Sequence, residues 1–112
     1  MDCFDDCYKL QKLYLEGNQI SKLEGLQNCQ SLTELYIGNQ KTRKPFTFDE
    51  YSLATISRTL RLLDMPNVNL IESKPLYYLE SLQSLNLTDN RISDIQEHVA
   101  PLLMTMHYLT DL

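Results

Sequence analysis

The sequence predicts a right-handed α/β solenoid, a horseshoe in which short parallel strands stack side by side along the concave face. The first observation is an apolar skeleton, L-x-x-L-x-L-x-x-N-x-I-x-x-L, which begins at Leu10 and returns at Leu82. The second observation is that weaker versions of this skeleton begin at Leu32 and Leu60. The starts at Leu10 and Leu32 are 22 residues apart, which is the length of one unit. A unit this short cannot bury its own leucines, so successive units must stack into a coil.

The first strand of each unit is predicted by alternation of polar and apolar residues. In the segment 12–16, Leu13 and Leu15 would point inward, while Lys12, Tyr14 and Glu16 would point outward. Each strand is separated from the next by more than a dozen residues, a connection length that permits parallel pairing. The strands of successive units should therefore form one parallel sheet.

The repeat phase divides the chain into units of one domain, 1–112. We expect a partial repeat at 1–9, repeats at 10–31, 32–59, 60–81 and 82–108, and an incomplete repeat at 109–112. The second repeat is longer than its neighbours and carries Leu53, Ile56 and Leu60 at helical spacing. This spacing predicts a helical insertion at about 47–60, with Asp49 or Thr47 as the N-cap.

An asparagine is predicted to close the turn after each strand, because its amide can donate to and accept from unpaired backbone groups. Asn18, Asn39 and Asn90 are assigned this structural role. Asn39 comes one residue earlier in its repeat than Asn18 does, and Val68 stands at this position in the third repeat.

Composition restricts the classes of function. The formal net charge of −5 argues against a nucleic-acid partner. No signal peptide and no apolar run of membrane-spanning length is visible, so no membrane partner is predicted. No glycine-rich phosphate loop and no catalytic or metal-binding motif appears, so no enzyme, metal site or cofactor is predicted. Cys3, Cys7 and Cys29 are interpreted as reduced and the protein as intracellular.

The skeleton resembles that of leucine-rich repeat proteins of the 22-residue intracellular class, which includes regulatory subunits of protein phosphatase 1 and ciliary or centrosomal adaptors. The early Asn39-Gln40 and the following Phe48-Asp49-Glu50-Tyr51-Ser52-Leu53 resemble the subfamily of protein phosphatase 1 regulatory subunit 42-like proteins. The resemblance implies binding of a protein partner, either a protein phosphatase 1 catalytic subunit or a cytoskeletal protein. It also implies a cytoplasmic location, at the cytoskeleton, centrosome or cilium.

The candidate protein-binding surface consists of outward residues on the predicted concave face. These are Lys12, Tyr14, Glu16, Glu34, Tyr36, Arg61, Asp64 and Asn86. Tyr14 and Tyr36 occupy the same position in neighbouring repeats, and tyrosine supplies contact area at low entropic cost. The alternative is a solvated sheet face with tyrosines favoured only by their β-propensity.

The segment Lys41–Phe48 presents a second candidate. It loosely resembles the docking motif of phosphatase 1 partners, a basic run followed by a hydrophobic residue and an aromatic one, with Phe46 and Phe48 in those places. Otherwise the basic run is a solvated loop or a rim contact to an acidic partner.

The predicted function is a non-catalytic protein–protein interaction scaffold, a regulator or adaptor of the protein phosphatase 1 type. The alternative is a structural repeat protein of cilia or centrosomes that self-associates through uncapped ends into a homo-oligomer and has no phosphatase role.

Overall fold

The computed structural model describes residues 8–92. Within this range, the chain alternates short strands with turns and helices. In chain order the elements are β1 (Lys12–Tyr14), β2 (Lys22–Leu23), β3 (Glu34–Tyr36), β4 (Thr47–Phe48), α1 (Glu50–Ile56), β5 (Leu62–Asp64), a 3-10 helix (Lys74–Tyr78) and β6 (Ser84–Asn86).

The main sheet has four parallel strands in the order β1-β3-β5-β6. Its register places the central leucines of the four strands opposite one another, in the order Leu13, Leu35, Leu63 and Leu85. One strand per repeat therefore stacks on the strand of the next repeat, which confirms the prediction of parallel strands. The horseshoe curvature stays a prediction.

A second, two-stranded parallel sheet joins β2 of the first repeat to β4 of the second, pairing Lys22 with Thr47 and Leu23 with Phe48. Leu23 is fully buried and Phe48 is half-buried. This sheet positions the insertion, because α1 begins two residues after β4.

The core is a column of side chains contributed at the same positions by successive repeats. Leu32, Leu60 and Leu82 begin their repeats and are buried, whereas Leu10 at the β1 side is half-buried. Burial of each such side chain contributes about 1.5–3 kcal/mol. Stability therefore depends on stacking of repeats rather than on any one of them.

The insertion forms a helix shorter than the predicted span of about 47–60. Helix α1 covers Glu50–Ile56, and Asp49 is its N-cap, since the Asp49 carboxylate accepts a hydrogen bond from the Ser52 N–H at 3.1 Å. Thr47 is not the cap, because it belongs to β4. Pairing with β2 thus holds the residues before Asp49 in extended conformation.

Hydrogen bonds attach α1 to the repeats on both sides. The fully buried Ser52 Oγ accepts from the Leu26 N–H at 2.9 Å, and Thr55 Oγ1 donates to the Gln27 carbonyl oxygen at 3.0 Å. From the next repeat, the Glu80 N–H donates to the Ser57 carbonyl oxygen at 3.0 Å. The helix is therefore held against both of the neighbouring repeats.

Cys29 corrects one expectation. It is fully buried and is disulfide-bonded, so the interpretation of all the cysteines as reduced is wrong for this residue. Among the described residues 8–92 it is the only cysteine. The proposal of an intracellular location consequently depends on the resemblance alone.

Candidate functional site

The outer sheet face is the solvent-facing side of the four-stranded sheet, and it carries two parallel columns of side chains. The first column is Lys12, Glu34, Leu62 and Ser84, and the second is Tyr14, Tyr36, Asp64 and Asn86. Period-two alternation produces these columns, because the buried leucines between them face the core. Six of the eight predicted binding residues lie in the columns.

The aromatic half of this face is formed by Tyr14 and Tyr36. Their rings are stacked with centroids 4.6 Å apart and an angle of 3° between the planes. Tyr14 remains 60% exposed, while Tyr36 is half-buried. The parallel register places the two rings directly opposite each other, so the stack is a preformed flat apolar surface in contact with solvent.

Glu34 holds Tyr36 in place from the same strand. The Tyr36 hydroxyl donates a hydrogen bond of 2.6 Å to Glu34 Oε1, and the Lys12 Nζ lies 3.5 Å from Glu34 Oε2. The hydrogen bond from Tyr36, and then the charge of Lys12, lower the pKa of Glu34 despite partial desolvation. The same hydrogen bond and the Glu34 charge raise the pKa of Tyr36 to about 12. Glu34 is thus a carboxylate, and Tyr36 a neutral donor, across the ordinary pH range.

The polar half of the outer sheet face is formed by β5 and β6. Asn86 Nδ2 donates a hydrogen bond of 2.9 Å to Asp64 Oδ1, and Asn86 Oδ1 accepts from Thr88. The hydrogen bond between Asp64 and Asn86 uses only part of their hydrogen-bonding capacity. Oxygen lone pairs and one amide hydrogen therefore stay available for a partner.

Glu16 and Arg61, the remaining predicted binding residues, lie outside the two columns. Glu16 follows β1 and Arg61 precedes β5, and both are exposed. Neither forms an ion pair in the part of the chain that the structure describes. They border the outer sheet face rather than joining its hydrogen-bond network.

The turn residues Asn18 and Asn90 bind backbone groups after their strands. Asn18 Nδ2 donates to the Leu15 carbonyl oxygen at 2.9 Å. Asn90 Nδ2 donates to the carbonyl oxygens of Met65 and Leu87, and its Oδ1 accepts from the N–H groups of Val68 and Leu70. Asn90 thereby joins the turns of two successive repeats.

The assignment of Asn39 to this role is corrected by the structure. Gln40 stands at the asparagine position, where its Nε2 donates to the Leu15 and Ile37 carbonyl oxygens at 2.7 and 3.0 Å and its Oε1 accepts from the Ile20 N–H at 2.8 Å. Asn39 comes one residue before this position, so it is not the equivalent of Asn18. Asn18 is the eighth residue after Leu10, and the eighth residue after Leu32 is Gln40. The glutamine side chain ends in the same amide group as asparagine.

Asn39 instead occupies the preceding turn position, where every described repeat has a positive φ. The equivalent residues are Gly17, Asn39, Asn67 and Asp89, with φ values of 72°, 54°, 53° and 58°. Glycine, asparagine and aspartate are the residue types that adopt this left-handed conformation most readily. Asn39 thus meets a backbone requirement of the turn.

The proposed docking motif in Lys41–Phe48 meets a steric obstacle. Phe46 is 3% exposed and packs edge-on against Phe48 at a centroid distance of 5.3 Å, and Phe48 belongs to β4. Phe46 could reach a partner only if the segment left the core. The motif interpretation is therefore not supported by this packing, whereas the basic residues before Phe46 remain exposed at the surface.

Residues 8–92 lack two further features. No group of three or more metal-ligating side chains occurs among them. No helix in this range has the length and apolar character needed to cross a bilayer.

Comparison with family models agrees with the repeating architecture. The model described as Leucine Rich repeats (2 copies) matches residues 8–46, and the model described as Leucine Rich Repeat matches residues 81–102. The chain contains leucine-rich repeats. Leucine-rich repeats generally mediate protein–protein interaction and are typically non-catalytic. Searches of curated proteins and of solved structures found no significant match.

Proposed function

We propose that this leucine-rich repeat chain is a non-catalytic interaction scaffold whose protein partner binds the outer sheet face at the Tyr14–Tyr36 stack. The observation that carries the proposal is the preformed stack itself, with Tyr14 60% exposed. Rings already held by stacking and by the Tyr36–Glu34 hydrogen bond lose little conformational entropy when a partner covers them. Lys12, Glu34, Asp64 and Asn86 would surround such a contact with polar groups, as in a typical interface rim.

The first partner we propose is a protein phosphatase 1 catalytic subunit, in a cytoplasmic or centrosomal setting. This finer assignment is supported by the resemblance of Asn39-Gln40 and of the segment 48–53 to phosphatase regulators. Since Phe46 is buried, the contact we propose is the outer sheet face and not a linear motif in the loop.

The experiment measures binding of purified protein phosphatase 1 catalytic subunit, and parallel affinity capture from the source cell, with three forms of the protein. The forms are wild type, Tyr14→Ala with Tyr36→Ala, and the matched control Tyr51→Ala with Tyr78→Ala. The control tyrosines are 74% and 62% exposed but lie in α1 and the 3-10 helix, away from the outer sheet face. Interface tyrosines that are hot spots contribute about 2 kcal/mol each, so the Tyr14/Tyr36 variant should bind roughly a thousandfold more weakly.

The two arms separate the general proposal from the finer one. Unchanged capture of every partner by a folded Tyr14/Tyr36 variant would overturn the outer sheet face as the binding site. A second outcome would overturn the phosphatase assignment alone. In that outcome the wild type does not bind the phosphatase, and other partners captured by the wild type are lost only in the Tyr14/Tyr36 variant.

Self-association into a cytoskeletal or ciliary structure is the second candidate. It is favoured by the edge position of β1, which pairs on one side only with β3 in the described sheet, and by the half-buried Leu10 and Leu15 beside it. An unpaired strand edge is a template for pairing with another chain. Light scattering coupled to size exclusion distinguishes the candidates, because a concentration-independent monomer excludes self-association and a stable dimer supports it.

A further inference from the structure

A polar cavity of about 440 Å³ lies at the turn edge of the sheet, away from the outer sheet face. It is formed where the loop after Gln40 meets the turns of the third and fourth repeats, and all of its lining residues are polar or charged. Small-molecule sites commonly have volumes of about 300–1,000 Å³. The cavity is therefore large enough for a charged group together with part of the molecule that carries it.

The amide contacts between repeats change at the cavity. Gln40 joins the first and second turns and Asn90 joins the third and fourth, but Val68, at the equivalent position of the third repeat, has no amide. The second and third turns are joined at the surface by Asn67, whose Nδ2 donates to Asn39 Oδ1 at 3.4 Å. Asn69, with a φ of 60°, donates from Nδ2 to the Arg43 carbonyl oxygen at 2.7 Å. This bond holds the loop against the third turn.

Two arginines line the cavity without a carboxylate partner. Arg43 and Arg91 are both exposed, and within residues 8–92 neither forms an ion pair. Lys41 and Lys44 lie in the same loop, so four of the ten cationic residues belong to this edge of a protein whose net charge is −5. Asp89 is the acidic residue in the lining. The local charge is thus positive, opposite to that of the whole chain.

We propose that this cavity, the turn-edge pocket, binds a phosphate monoester group through Arg43 and Arg91. Two guanidinium groups can donate paired hydrogen bonds to the several oxygens of one phosphate. Asn67 and Thr42 supply further polar atoms in the lining, and Asp89 can accept a hydrogen bond from an N–H or hydroxyl of the molecule that carries the phosphate. The proposal does not depend on the outer sheet face, because none of its residues lies in the two columns.

The test follows backbone and side-chain resonances of isotope-labelled protein by NMR during titration with three probes. The probes are a short peptide with one phosphoserine, the same peptide with serine, and inorganic phosphate. Saturable shifts centred on Arg43, Asn67, Asn69 and Arg91 with a phosphate-bearing probe, and none with the serine peptide, would support the proposal. Tighter binding of the phosphopeptide than of inorganic phosphate would identify a modified protein as the source, and equal binding would identify a free phosphate compound.

Charge variants provide the decisive comparison. Arg43→Gln with Arg91→Gln should weaken phosphate binding about tenfold or more per arginine, since charge-assisted hydrogen bonds are lost. Arg58→Gln with Lys74→Gln changes the net charge equally, at exposed residues outside the pocket, and should leave binding unchanged.

A third variant should act in the opposite direction. Asp89→Asn should tighten binding by up to about fivefold, because it removes a negative charge from the lining. Its fold is preserved, since asparagine has the same positive φ at positions 39 and 67. Absence of saturable shifts with both phosphate probes, or equal affinity of the wild type and the Arg43/Arg91 variant, would overturn the proposal.

Discussion

At the scale of single residues, one methylene group decides which amide joins the first two turns. Gln40 is 7% exposed and binds backbone groups of two repeats, whereas Asn39 is exposed and satisfies the left-handed backbone beside it. The longer side chain of glutamine reaches the same kinds of groups that Asn90 reaches in the fourth repeat. An asparagine in the sequence is therefore a weaker guide to the turn than the count of residues from the first leucine.

Gln40→Ala should reduce the free energy of unfolding by about 2–3 kcal/mol, because it leaves buried backbone donors and acceptors unpaired. Asn39→Ala is the matched control and should cost about 1 kcal/mol, the penalty of a left-handed alanine. Chemical denaturation of both variants checks the order. A larger loss for Asn39→Ala than for Gln40→Ala would contradict the assignment of the turn amide to Gln40.

The Tyr36 hydroxyl should lose its proton only at unusually high pH. The hydrogen bond to Glu34 raises the pKa of Tyr36 from 10.0 to about 12. The stabilising effect of this hydrogen bond on the fold is therefore complete below pH 10 and is lost as the pH rises through about 12. Spectrophotometric titration should show a tyrosine phase near pH 12 that is absent in Tyr36→Phe and retained in Tyr14→Phe. A wild-type titration with no phase near pH 12 would contradict the hydrogen bond.

Glu34 should respond to pH in the opposite direction. Because its pKa is lowered, chiefly by the Tyr36 hydroxyl, its stabilising effect is present at neutral pH and is lost as the pH falls through the lowered pKa. NMR titration of the Glu34 carboxyl should therefore give a higher pKa in Tyr36→Phe than in the wild type.

At the scale of elements, the insertion shows which part of a helix the sequence predicts. The spacing of Leu53 and Ile56 identifies its buried face, and both residues are buried in α1. The start could not be chosen between Thr47 and Asp49 from sequence alone, because pairing of Thr47 with Lys22 is a contact between distant residues. The helix is therefore predicted by the local spacing of its apolar residues, whereas its first residue is determined by strand pairing with the neighbouring repeat.

Ser52→Ala should cost about 1–3 kcal/mol, since it leaves the buried Leu26 N–H without an acceptor. Thr55→Ala is the control from the same helix, and its partner, the Gln27 carbonyl oxygen, belongs to an exposed residue that water can reach. It should cost less than about 1 kcal/mol. Equal losses in thermal or chemical unfolding would show that the buried acceptor does not attach α1 to the preceding turn.

At the scale of the whole molecule, repetition converts equivalent positions into continuous surfaces. The described strands form one leucine column toward the core and two columns toward solvent, which are polar or aromatic except at Leu62. The same stacking places the positive-φ residues of four turns along one edge, where the longer second repeat leaves the turn-edge pocket. The stacked repeats therefore present two candidate surfaces, the outer sheet face and the turn-edge pocket.

The sequence by itself determined the period, the parallel strands, the identity of the core leucines and the side of the strand on which Tyr14 lies. These properties follow from local spacing, because alternation assigns a face and a repeated length assigns a partner strand. Only the tertiary structure decided that Tyr14 and Tyr36 stack, that Gln40 supplies the turn amide and that Arg43 and Arg91 line one cavity. Each of these brings together residues at least 20 positions apart, and its geometry depends on how one repeat is placed against the next.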